Sequence, residues 1–328
     1  MMRANTALEN VVIFAGSGLN SRKIAEDIAK ILNVRYSELQ TKVFPDSEIY
    51  VKVPVEDVAG KYVLYVQSTA PKKEAKGRIP QSQSLMELFL TLDTFKEKKA
   101  KIVDVIVPYF AHARQDKEFQ KGEIVSTRTI AKILRNLGVN QLFTVDVHSY
   151  RETGPFFFGH TSNFEGVRGY NITAARSLAR YIKDKLKMES PVVIIPDEGH
   201  RPIAEKIEGI IMPERVIFLY KKRIDAKNVR FTRIDGADLK GKNVIIFDDM
   251  ISTGGTLIKA SKFARKKGAK TIVVAVTHTL YVNRARERLL KSGVDRIVAT
   301  DTIPDKDSVV PIAPIITESL KEVLFRMG

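Results

Sequence analysis

Short apolar runs recur along the whole chain and alternate with longer stretches whose apolar residues follow the period of a helix. The runs cover residues 11–15, 62–66, 102–107, 142–145, 192–195, 216–219, 244–247, 272–276 and 296–299. Each run has the length of a strand and is mostly apolar rather than alternating, which is typical of strands buried on both faces of a parallel sheet. Strands interleaved with helices in this way predict an α/β protein.

Helices are expected between many of these strands. The helical pattern covers residues 21–32, 84–98, 127–137, 174–186 and 257–267. Gly138 and Gly268 directly follow two of these stretches, at the position where a glycine often ends a helix. The stretch 223–242 is polar and charged, and its length is typical of a lid, a binding loop or a hairpin. We interpret it as a mobile flap.

The length of the chain favours two domains. Its 328 residues are about twice the roughly 150 of a typical domain. A polar stretch with several glycines, residues 159–170, separates two sets of elements of similar architecture. We therefore predict one domain over residues 1–165 and a second over residues 166–328.

The composition narrows the chemistry. The chain has no cysteine and five histidines, which excludes disulfides, thiolate catalysis and cysteine-ligated metals and favours a hard cation such as Mg²⁺. The net charge of +16 predicts anionic partners. Phosphorylated small molecules are favoured over nucleic acid, because no zinc finger, aromatic RNA-binding pattern or basic zipper occurs.

No apolar run is long enough to span a membrane, and residues 1–10 do not resemble a signal peptide, so we expect a cytoplasmic protein without membrane contact.

The most informative stretch is 244–256, VIIFDDMISTGGT. A buried strand brings two adjacent carboxylates, Asp248 and Asp249, to its C-terminal end, where ligands bind in open α/β sheets. The residues that follow lead into a helix, and their glycines, hydroxyls and helix-terminal N–H groups favour a bound phosphate. These residues are Ser252, Thr253, Gly254, Gly255 and Thr256. Their spacing is not that of a Walker A loop.

Two carboxylates beside a phosphate need a partner of their own. They would repel the phosphate unless they face the hydroxyls of a sugar or a magnesium ion. A phosphorylated sugar meets both conditions. The alternative is a capped turn with two solvated aspartates, which is the more common explanation of an isolated Asp-Asp pair.

This stretch resembles the phosphoribosyl-pyrophosphate-binding motif of the type I phosphoribosyltransferase fold. Further segments, in the same order along the chain, resemble the ribose-phosphate pyrophosphokinase family. They are FPDSE at 44–48, PYFAHARQDK at 108–117, VDVH at 145–148, PDEG at 196–199, KKR at 221–223 and DTIP at 301–304. The resemblance extends from about residue 11 to the C-terminus and implies two tandem phosphoribosyltransferase-like domains, each a mostly parallel sheet flanked by helices.

The resemblance implies an enzyme that transfers the β,γ-diphosphoryl group of Mg-ATP to the 1-hydroxyl of ribose 5-phosphate. The products are 5-phosphoribosyl 1-pyrophosphate and AMP. Transfer through a loose transition state requires alignment of the reactants and positive charge on the phosphate oxygens. Lys221 and Arg223 match the catalytic flexible loop that supplies this charge in the family. A solvated basic loop is the alternative.

The resemblance also assigns residues to the nucleotide, the pyrophosphate and the metal. Arg114 and Gln115 match residues that bind adenine, by stacking and by hydrogen bonding. His148 matches a ligand of ATP phosphate or Mg²⁺, although an isolated histidine is more often a core residue. The pyrophosphate loop comprises Asp197, Glu198 and Gly199, and we expect Asp197 to bind Mg²⁺.

In the family, a neighbouring subunit contributes three residues to the nucleotide site. Phe44, Asp46 and Glu48 match these residues, and a plain surface turn is the alternative. The match implies a homo-oligomer, either a dimer or an assembly of dimers.

The chain departs from the family pattern at several positions. Ser47 stands where the family has glycine, and Ser252 stands where many members have aspartate, although the form STGGT resembles archaeal members. His200 and Arg201 replace smaller residues after the pyrophosphate turn. Two other functions remain open: a phosphoribosyltransferase that uses phosphoribosyl pyrophosphate, and a non-catalytic regulatory subunit associated with an active synthetase.

Overall fold

The computed structural model describes residues 8–74, 77–118, 120–148, 150, 153–160, 166–197, 201–219, 221–223, 229–231 and 238–324. The chain forms two compact units. The first, called the N-terminal unit, comprises residues 1–172 and 312–328, and the second, the C-terminal unit, comprises residues 173–311.

The N-terminal unit is built on a seven-stranded sheet. The described strands of the unit, inside and outside this sheet, are β1 (Val11–Ala15), β2 (Arg35–Glu38), β3 (Gln40–Val43), β4 (Ile49–Lys52), β5 (Tyr62–Val66), β6 (Lys72–Glu74), β7 (Gly77–Ile79), β8 (Ile102–Val107), β9 (Gln141–Val145), β10 (Gly154–Phe158) and β11 (Val167–Ile172). The sheet has the order β10-β11-β9-β8-β5-β1-β2 and is parallel except for β10. Strands β3 and β4 form a separate antiparallel hairpin, as do β6 and β7.

Three helices of this unit connect its strands: α1 (Ser21–Leu32), α2 (Gln81–Glu97) and α3 (Ser126–Asn136). Strands β1 and β9 are buried along their whole length, because layers of structure cover both faces of the sheet. Helix α1 is amphipathic and buries Ile24, Ile28 and Leu32, which recur at helical spacing. The apolar residues of the strands and of these helix faces form the core.

The C-terminal unit has a six-stranded parallel sheet with the order β13-β12-β16-β17-β18-β19. The described strands of the unit, inside and outside this sheet, are β12 (Val192–Ile195), β13 (Arg215–Phe218), β14 (Lys221–Arg223), β15 (Val229–Phe231), β16 (Asn243–Ile251), β17 (Thr271–Thr279), β18 (Arg296–Thr300) and β19 (Ser308–Val310). Strands β14 and β15 form an antiparallel hairpin outside the sheet. The helices are α4 (Ala175–Tyr181), which continues into a π-helical turn at Ile182–Leu186, α5 (Arg201–Ile211), α6 (Gly255–Lys266) and α7 (Ala285–Lys291).

The last helix, α8 (Ala313–Leu324), belongs to the N-terminal unit. It buries Ile316 and Leu320 and packs against α1. The predicted division into residues 1–165 and 166–328 therefore differs from the two units in two respects. The first unit continues to Ile172, because β11 pairs with β9, and the end of the chain returns to it, because the apolar face of α8 is covered there.

The prediction of an α/β protein with mostly parallel sheets is confirmed. Part of the predicted flap forms the β14–β15 hairpin, while residues 224–228 and 232–237 of it lie outside the described residues. Within the described part of the chain, no helix combines the length and apolar character that crossing a membrane requires.

Candidate active site

The acidic pair lies inside a strand that is longer than predicted. Strand β16 has 9 residues and continues through Ile251, because β17 runs beside it and pairs Asp248 with Val276 and Met250 with His278. Successive strand residues point to opposite faces, and the burial follows this alternation: Asp249 is buried, and Asp248 is half-buried. The Asp249 N–H donates to Asp248 Oδ1 at 3.0 Å. Both carboxylates thus lie near the C-terminal edge of the sheet, as predicted, but on different faces of the strand.

The loop after β16 leads directly into α6. Gly254 has a φ of +73°, a left-handed conformation that favours glycine, and its carbonyl accepts the Ile258 N–H at 2.8 Å. No side chain caps the N-terminus of α6. A Cβ atom added to Gly255 would meet only Thr253 Oγ1, at 3.9 Å, within contact range. The first turn of α6 therefore borders open space, where its N–H groups favour an anion.

The carbonyl groups of this loop are held from one side. Ile251 O accepts the N–H groups of Leu280 and Tyr281 at 2.9 and 3.1 Å, and Ser252 O accepts the Val282 N–H at 3.0 Å. Arg288, on α7, donates from Nη1 to Thr253 O at 3.4 Å.

This anchoring fixes the direction of the loop amides. The C=O of one residue and the N–H of the next point in opposite directions across a trans peptide bond, and none of the described peptide bonds is cis. The N–H groups of Ser252, Thr253 and Gly254 therefore point away from the segment 280–288. Together with the α6 N-terminus they form a set of donors suited to a phosphate group.

The predicted pyrophosphate turn begins at the same edge of the sheet. Strand β12 pairs in parallel with β16, so Asp197, two residues after β12, follows the sheet beside the acidic pair. Glu198, Gly199 and His200 lie outside the described residues. The guanidinium of Arg201, at the start of α5, lies 4.4 Å from the ring centroid of Phe218.

Lys221 and Arg223 lie in β14, which is separated from the end of the edge strand β13 by two residues. In the hairpin register, Lys221 pairs with Phe231 and Arg223 with Val229. The backbone thus places both predicted catalytic residues on a hairpin that leaves the C-terminal edge of the sheet, where the acidic pair and the α6 N-terminus also lie. Their roles remain predictions.

The predicted adenine residues lie in the N-terminal unit, in the connection after β8. Arg114 is exposed. The Gln115 backbone carbonyl accepts the Thr127 N–H at 3.3 Å, and its side-chain oxygen accepts the Ser126 hydroxyl, so the turn is tied to the first residues of α3. His112, just before them, has a φ of +61°, a conformation that for a residue other than glycine is often associated with functional sites.

His148 follows β9, the strand beside β8, so it leaves the same edge of the N-terminal sheet. Asn171 closes its turn: Asn171 Oδ1 accepts the Val147 N–H at 3.0 Å, and Nδ2 donates to Tyr150 O at 2.9 Å. Asp146 in this turn has a φ of +40°. The structure thus brings His148, Arg114 and Gln115 to one edge. It also shows a role for Asn171 that no local sequence pattern indicates.

A cavity of about 480 Å³ adjoins this edge. It is lined by Asp116, Val125, Thr127, Tyr150 and residues 155–160. The rings of Tyr150 and Phe156 stack with centroids 4.7 Å apart. Its walls are therefore largely aromatic, which suits a flat ring.

Phe44, Asp46 and Glu48 lie at the exposed tip of the β3–β4 hairpin. The Phe44 N–H donates to Glu48 O at 2.8 Å and the Glu48 N–H to Asp46 Oδ1 at 3.2 Å, so the tip forms a closed turn. Ser47 has a φ of +76°, which explains why a glycine suits this position. The position of the tip is compatible with contact to another subunit, which remains a prediction.

No group of three or more metal-ligating side chains occurs among the residues that the structure describes. Magnesium commonly keeps several waters and binds through one or two carboxylates and the phosphates of a substrate. Asp197, which follows β12 at the C-terminal edge of the sheet, offers one carboxylate of this kind. Metal binding by Asp197 and His148 remains a prediction.

Comparison with known proteins places these features in a class. The chain has two α/β units, and in the second an acidic strand leads through a glycine-containing loop to a helix N-terminus. These features define a protein with a two-domain phosphoribosyltransferase-like fold. A family model for the N-terminal domain of ribose phosphate pyrophosphokinase matches residues 11–138, and one for a phosphoribosyl synthetase-associated domain matches residues 224–324. The chain belongs to the ribose-phosphate pyrophosphokinase family.

Individual relatives agree. The ribose-phosphate pyrophosphokinase of Saccharolobus solfataricus is 37% identical over 302 residues, which cover 91% of this chain and 96% of the relative. That of Sulfolobus acidocaldarius is 34% identical over 305 residues, 93% of this chain and 97% of the relative. The crystal structure of phosphoribosylpyrophosphate synthetase from Mycobacterium smegmatis matches with a TM-score of 0.75 at 29% identity, covering 98% of this chain and all of that one. The predictions of the family, the two-domain fold and an enzyme are confirmed.

Proposed function

We propose that this enzyme transfers the β,γ-diphosphoryl group of ATP to the 1-hydroxyl of ribose 5-phosphate, giving 5-phosphoribosyl 1-pyrophosphate and AMP. The observation that carries the proposal is the loop between β16 and α6. Its carbonyls are held on one side by residues 280–288, its amides point to the other, and the Asp248–Asp249 pair precedes it. A sugar phosphate supplies both the anion for the amides and the hydroxyls for the carboxylates.

The C-terminal unit is proposed to bind ribose 5-phosphate. The amides and hydroxyls of residues 252–256 bind the 5-phosphate, with the positive end of the α6 dipole behind them. Asp248 and Asp249 accept hydrogen bonds from the sugar hydroxyls, because an ionised carboxylate is an acceptor and its charge is kept from the phosphate by the length of the sugar.

The N-terminal unit is proposed to bind ATP. Arg114 stacks on the adenine, the remaining amide donors of Gln115 reach its edge, and His148 contacts the phosphates. The largely aromatic cavity beside the Gln115 turn supports a flat base in this region. Phe44, Asp46 and Glu48 are proposed to act on the nucleotide of a neighbouring subunit, which makes a homo-oligomer the active form.

The transfer itself depends mainly on alignment and charge. The oxygen of the 1-hydroxyl attacks the β-phosphorus of ATP, the bond from this phosphorus to the α,β-bridging oxygen breaks, AMP leaves with the electron pair, and the hydroxyl proton is released. Lys221 and Arg223 are proposed to neutralise charge on the transferred and leaving oxygens. The turn with Asp197, Glu198 and Gly199 is proposed to hold the pyrophosphate group.

Magnesium, when bound, would neutralise phosphate oxygens and orient the triphosphate. Asp197 and His148 are the residues proposed to hold it, together with oxygen atoms of the substrate. The partners proposed are ATP, ribose 5-phosphate and further copies of the chain, without nucleic acid or membrane. The compartment proposed is the cytoplasm.

The proposal is tested by incubating the purified protein with Mg²⁺, ATP and ribose 5-phosphate and separating the nucleotides. We expect AMP and phosphoribosyl pyrophosphate in equal amounts. Accumulation of ADP would identify a simple kinase and contradict the proposal. An Asp249→Ala variant, compared with Asp295→Asn at the other end of the same sheet, should lose affinity for ribose 5-phosphate while the control retains it.

The same assay separates the two other functions. A phosphoribosyltransferase would consume phosphoribosyl pyrophosphate in the presence of a base and make no use of ATP. A regulatory subunit would show no turnover alone. Neither is favoured, because relatives named as pyrophosphokinases match this chain over nearly its whole length.

A further inference from the structure

We call residues 251–256 the sugar phosphate loop. The segment whose N–H groups donate to the carbonyls of this loop has an unfavourable backbone conformation. Between β17 and α7, Tyr281, Asn283 and Arg284 have φ values of +48°, +53° and +54°. Residues other than glycine are disfavoured in this left-handed region, because Cβ approaches the carbonyl oxygen. Such a conformation persists where surrounding contacts hold it.

The main contact is a carboxylate from a distant part of the chain. Asp307 Oδ2 accepts the Tyr281 hydroxyl at 2.6 Å and Arg286 Nε at 2.6 Å, while Asp307 Oδ1 accepts Arg286 Nη2 at 2.9 Å. Asp307 is 7% exposed, so the carboxylate of this bidentate ion pair is shielded from water, whereas the Arg286 side chain is 25% exposed. We call Tyr281, Arg286 and Asp307 the Asp307 clamp.

The Asp307 clamp contacts the strained segment at its first residue and just after its last residue. Tyr281 is its first residue, and Arg286 lies in the first turn of α7. Burial, followed by the hydrogen bond to Asp307, raises the pKa of Tyr281 far above its ordinary value, and the hydrogen bond to Asp307 raises the pKa of Arg286. Both groups therefore stay protonated and keep donating at neutral pH.

The segment in turn holds the sugar phosphate loop. The N–H groups of Tyr281 and Val282 donate to Ile251 O and Ser252 O, at 3.1 and 3.0 Å. Helix α7 also packs on the loop, because a Cβ atom on Gly254 would lie 3.5 Å from the Ala285 Cβ. A continuous path of contacts thus runs from Asp307 to the loop whose amides face the open side.

We propose that Asp307 is a positioning residue for ribose 5-phosphate, which sets the affinity of the loop at 251–256 through Tyr281 and Arg286. The inference rests on the proposed function, because it concerns the same sugar phosphate site. It adds a determinant of affinity that lies behind the loop and acts through the direction of the loop carbonyls.

The test compares Asp307→Asn with Asp295→Asn. Asp295 is a matched control in the same unit: it accepts Arg265 Nη2 at 2.7 Å and the Ile272 N–H at 2.7 Å, where β17 begins. Asp307→Asn should raise KM for ribose 5-phosphate about tenfold, the order of effect of losing one hydrogen bond to a charged group, with KM for ATP nearly unchanged. Asp295→Asn should leave both KM values near those of the wild type.

Two further variants test the proposal if Asp307→Asn does not fold. Tyr281→Phe keeps the ion pair and removes only the hydroxyl, so a smaller rise in KM for ribose 5-phosphate, about threefold, is expected. Asp307→Glu keeps the carboxylate and should recover part of the affinity lost in Asp307→Asn. Wild-type KM for ribose 5-phosphate in Tyr281→Phe and Asp307→Asn, or an equal rise in KM for ATP, would overturn the proposal.

Amide hydrogen exchange gives a reading that needs no turnover. The N–H groups of Leu280, Tyr281 and Val282 donate to the loop carbonyls, and their exchange should be faster in Asp307→Asn or Tyr281→Phe than in Asp295→Asn. Unchanged exchange at these residues would overturn the positioning role even in an active enzyme. If instead the wild type fails to convert ribose 5-phosphate while exchange responds as expected, the proposed function is refuted and the link from Asp307 to the loop stands.

Discussion

The buried carboxyl group of Asp104 is expected to make the stability of the N-terminal unit depend on pH. Asp104 lies in β8 without exposed surface. Its side chain accepts hydrogen bonds from neutral groups, the Tyr62 hydroxyl and the Asn140 amide, the latter at 2.7 Å. Burial raises the pKa of Asp104 from 3.8 to about 6, and these hydrogen bonds offset only part of the increase.

The sign of the effect follows from proton binding. Below pH 3.8 the carboxyl group is protonated in both the folded and the unfolded chain. Between pH 3.8 and about 6 the folded state binds more protons, so the free energy of unfolding decreases as the pH rises. Above pH 6 the loss is complete and amounts to roughly 3 kcal/mol, because each pKa unit corresponds to about 1.4 kcal/mol.

The substitution Asp104→Asn removes the charge and preserves the shape. The Tyr62 hydroxyl keeps its acceptor, and the Asn140 amide can rotate to present its oxygen. The free energy of unfolding of the variant should therefore not decrease with pH through this position. Its melting temperature relative to the wild type should increase by roughly 6–12 °C between pH 4 and pH 7, taking about 2–4 °C per kcal/mol. Other carboxylates cancel in this difference, because both proteins contain them.

Asp57→Asn is the control for Asp104→Asn, and its melting temperature is measured by thermal unfolding at the same pH values. Asp57 is also buried but accepts Arg35 Nη2 at 2.6 Å and the Ser37 hydroxyl at 2.9 Å. Its replacement removes the charge that faces Arg35 and should lower the melting temperature at pH 7. A constant difference between Asp104→Asn and the wild type from pH 4 to pH 7 would refute the reasoning about Asp104.

Three further predictions concern the site. Lys221→Ala should lower kcat on the order of a hundredfold with little change in KM for ribose 5-phosphate, because its contact forms mainly in the transition state; steady-state kinetics in which only KM rises would contradict this role. Ser47→Gly should stabilise the β3–β4 hairpin by up to about 1 kcal/mol in urea titrations, because glycine adopts a φ of +76° without strain, and a loss of stability would count against the strain. Asn171→Ala removes both hydrogen bonds that close the turn of His148 and should raise KM for ATP about fivefold, whereas equal changes for both substrates would indicate general loosening.

The sequence by itself determined the elements whose signal is local. Mostly apolar runs predicted the buried strands β1, β5, β8 and β9, because burial on both faces favours apolar residues along the strand; Asp104 in β8 is a buried polar exception. Gly138 and Gly268 end α3 and α6 at φ values of +81° and +85°, as predicted, since this conformation is a property of glycine itself. The motif at 244–256 indicated the strand, loop and helix N-terminus that are proposed to bind the sugar phosphate for the same reason: the residues that form them are contiguous.

Only the tertiary structure decided features that join distant parts of the chain. Strands β2 and β3 are partly exposed and mostly polar, β4 is partly exposed, and all three become strands because a neighbour pairs with them. The return of α8 to the N-terminal unit and the extension of β16 along β17 also depend on the partner element. Asp307 meets Tyr281 and Arg286 across 26 and 21 residues. Such contacts leave no local pattern, because hydrogen bonding and burial act between residues that only the folded chain brings together.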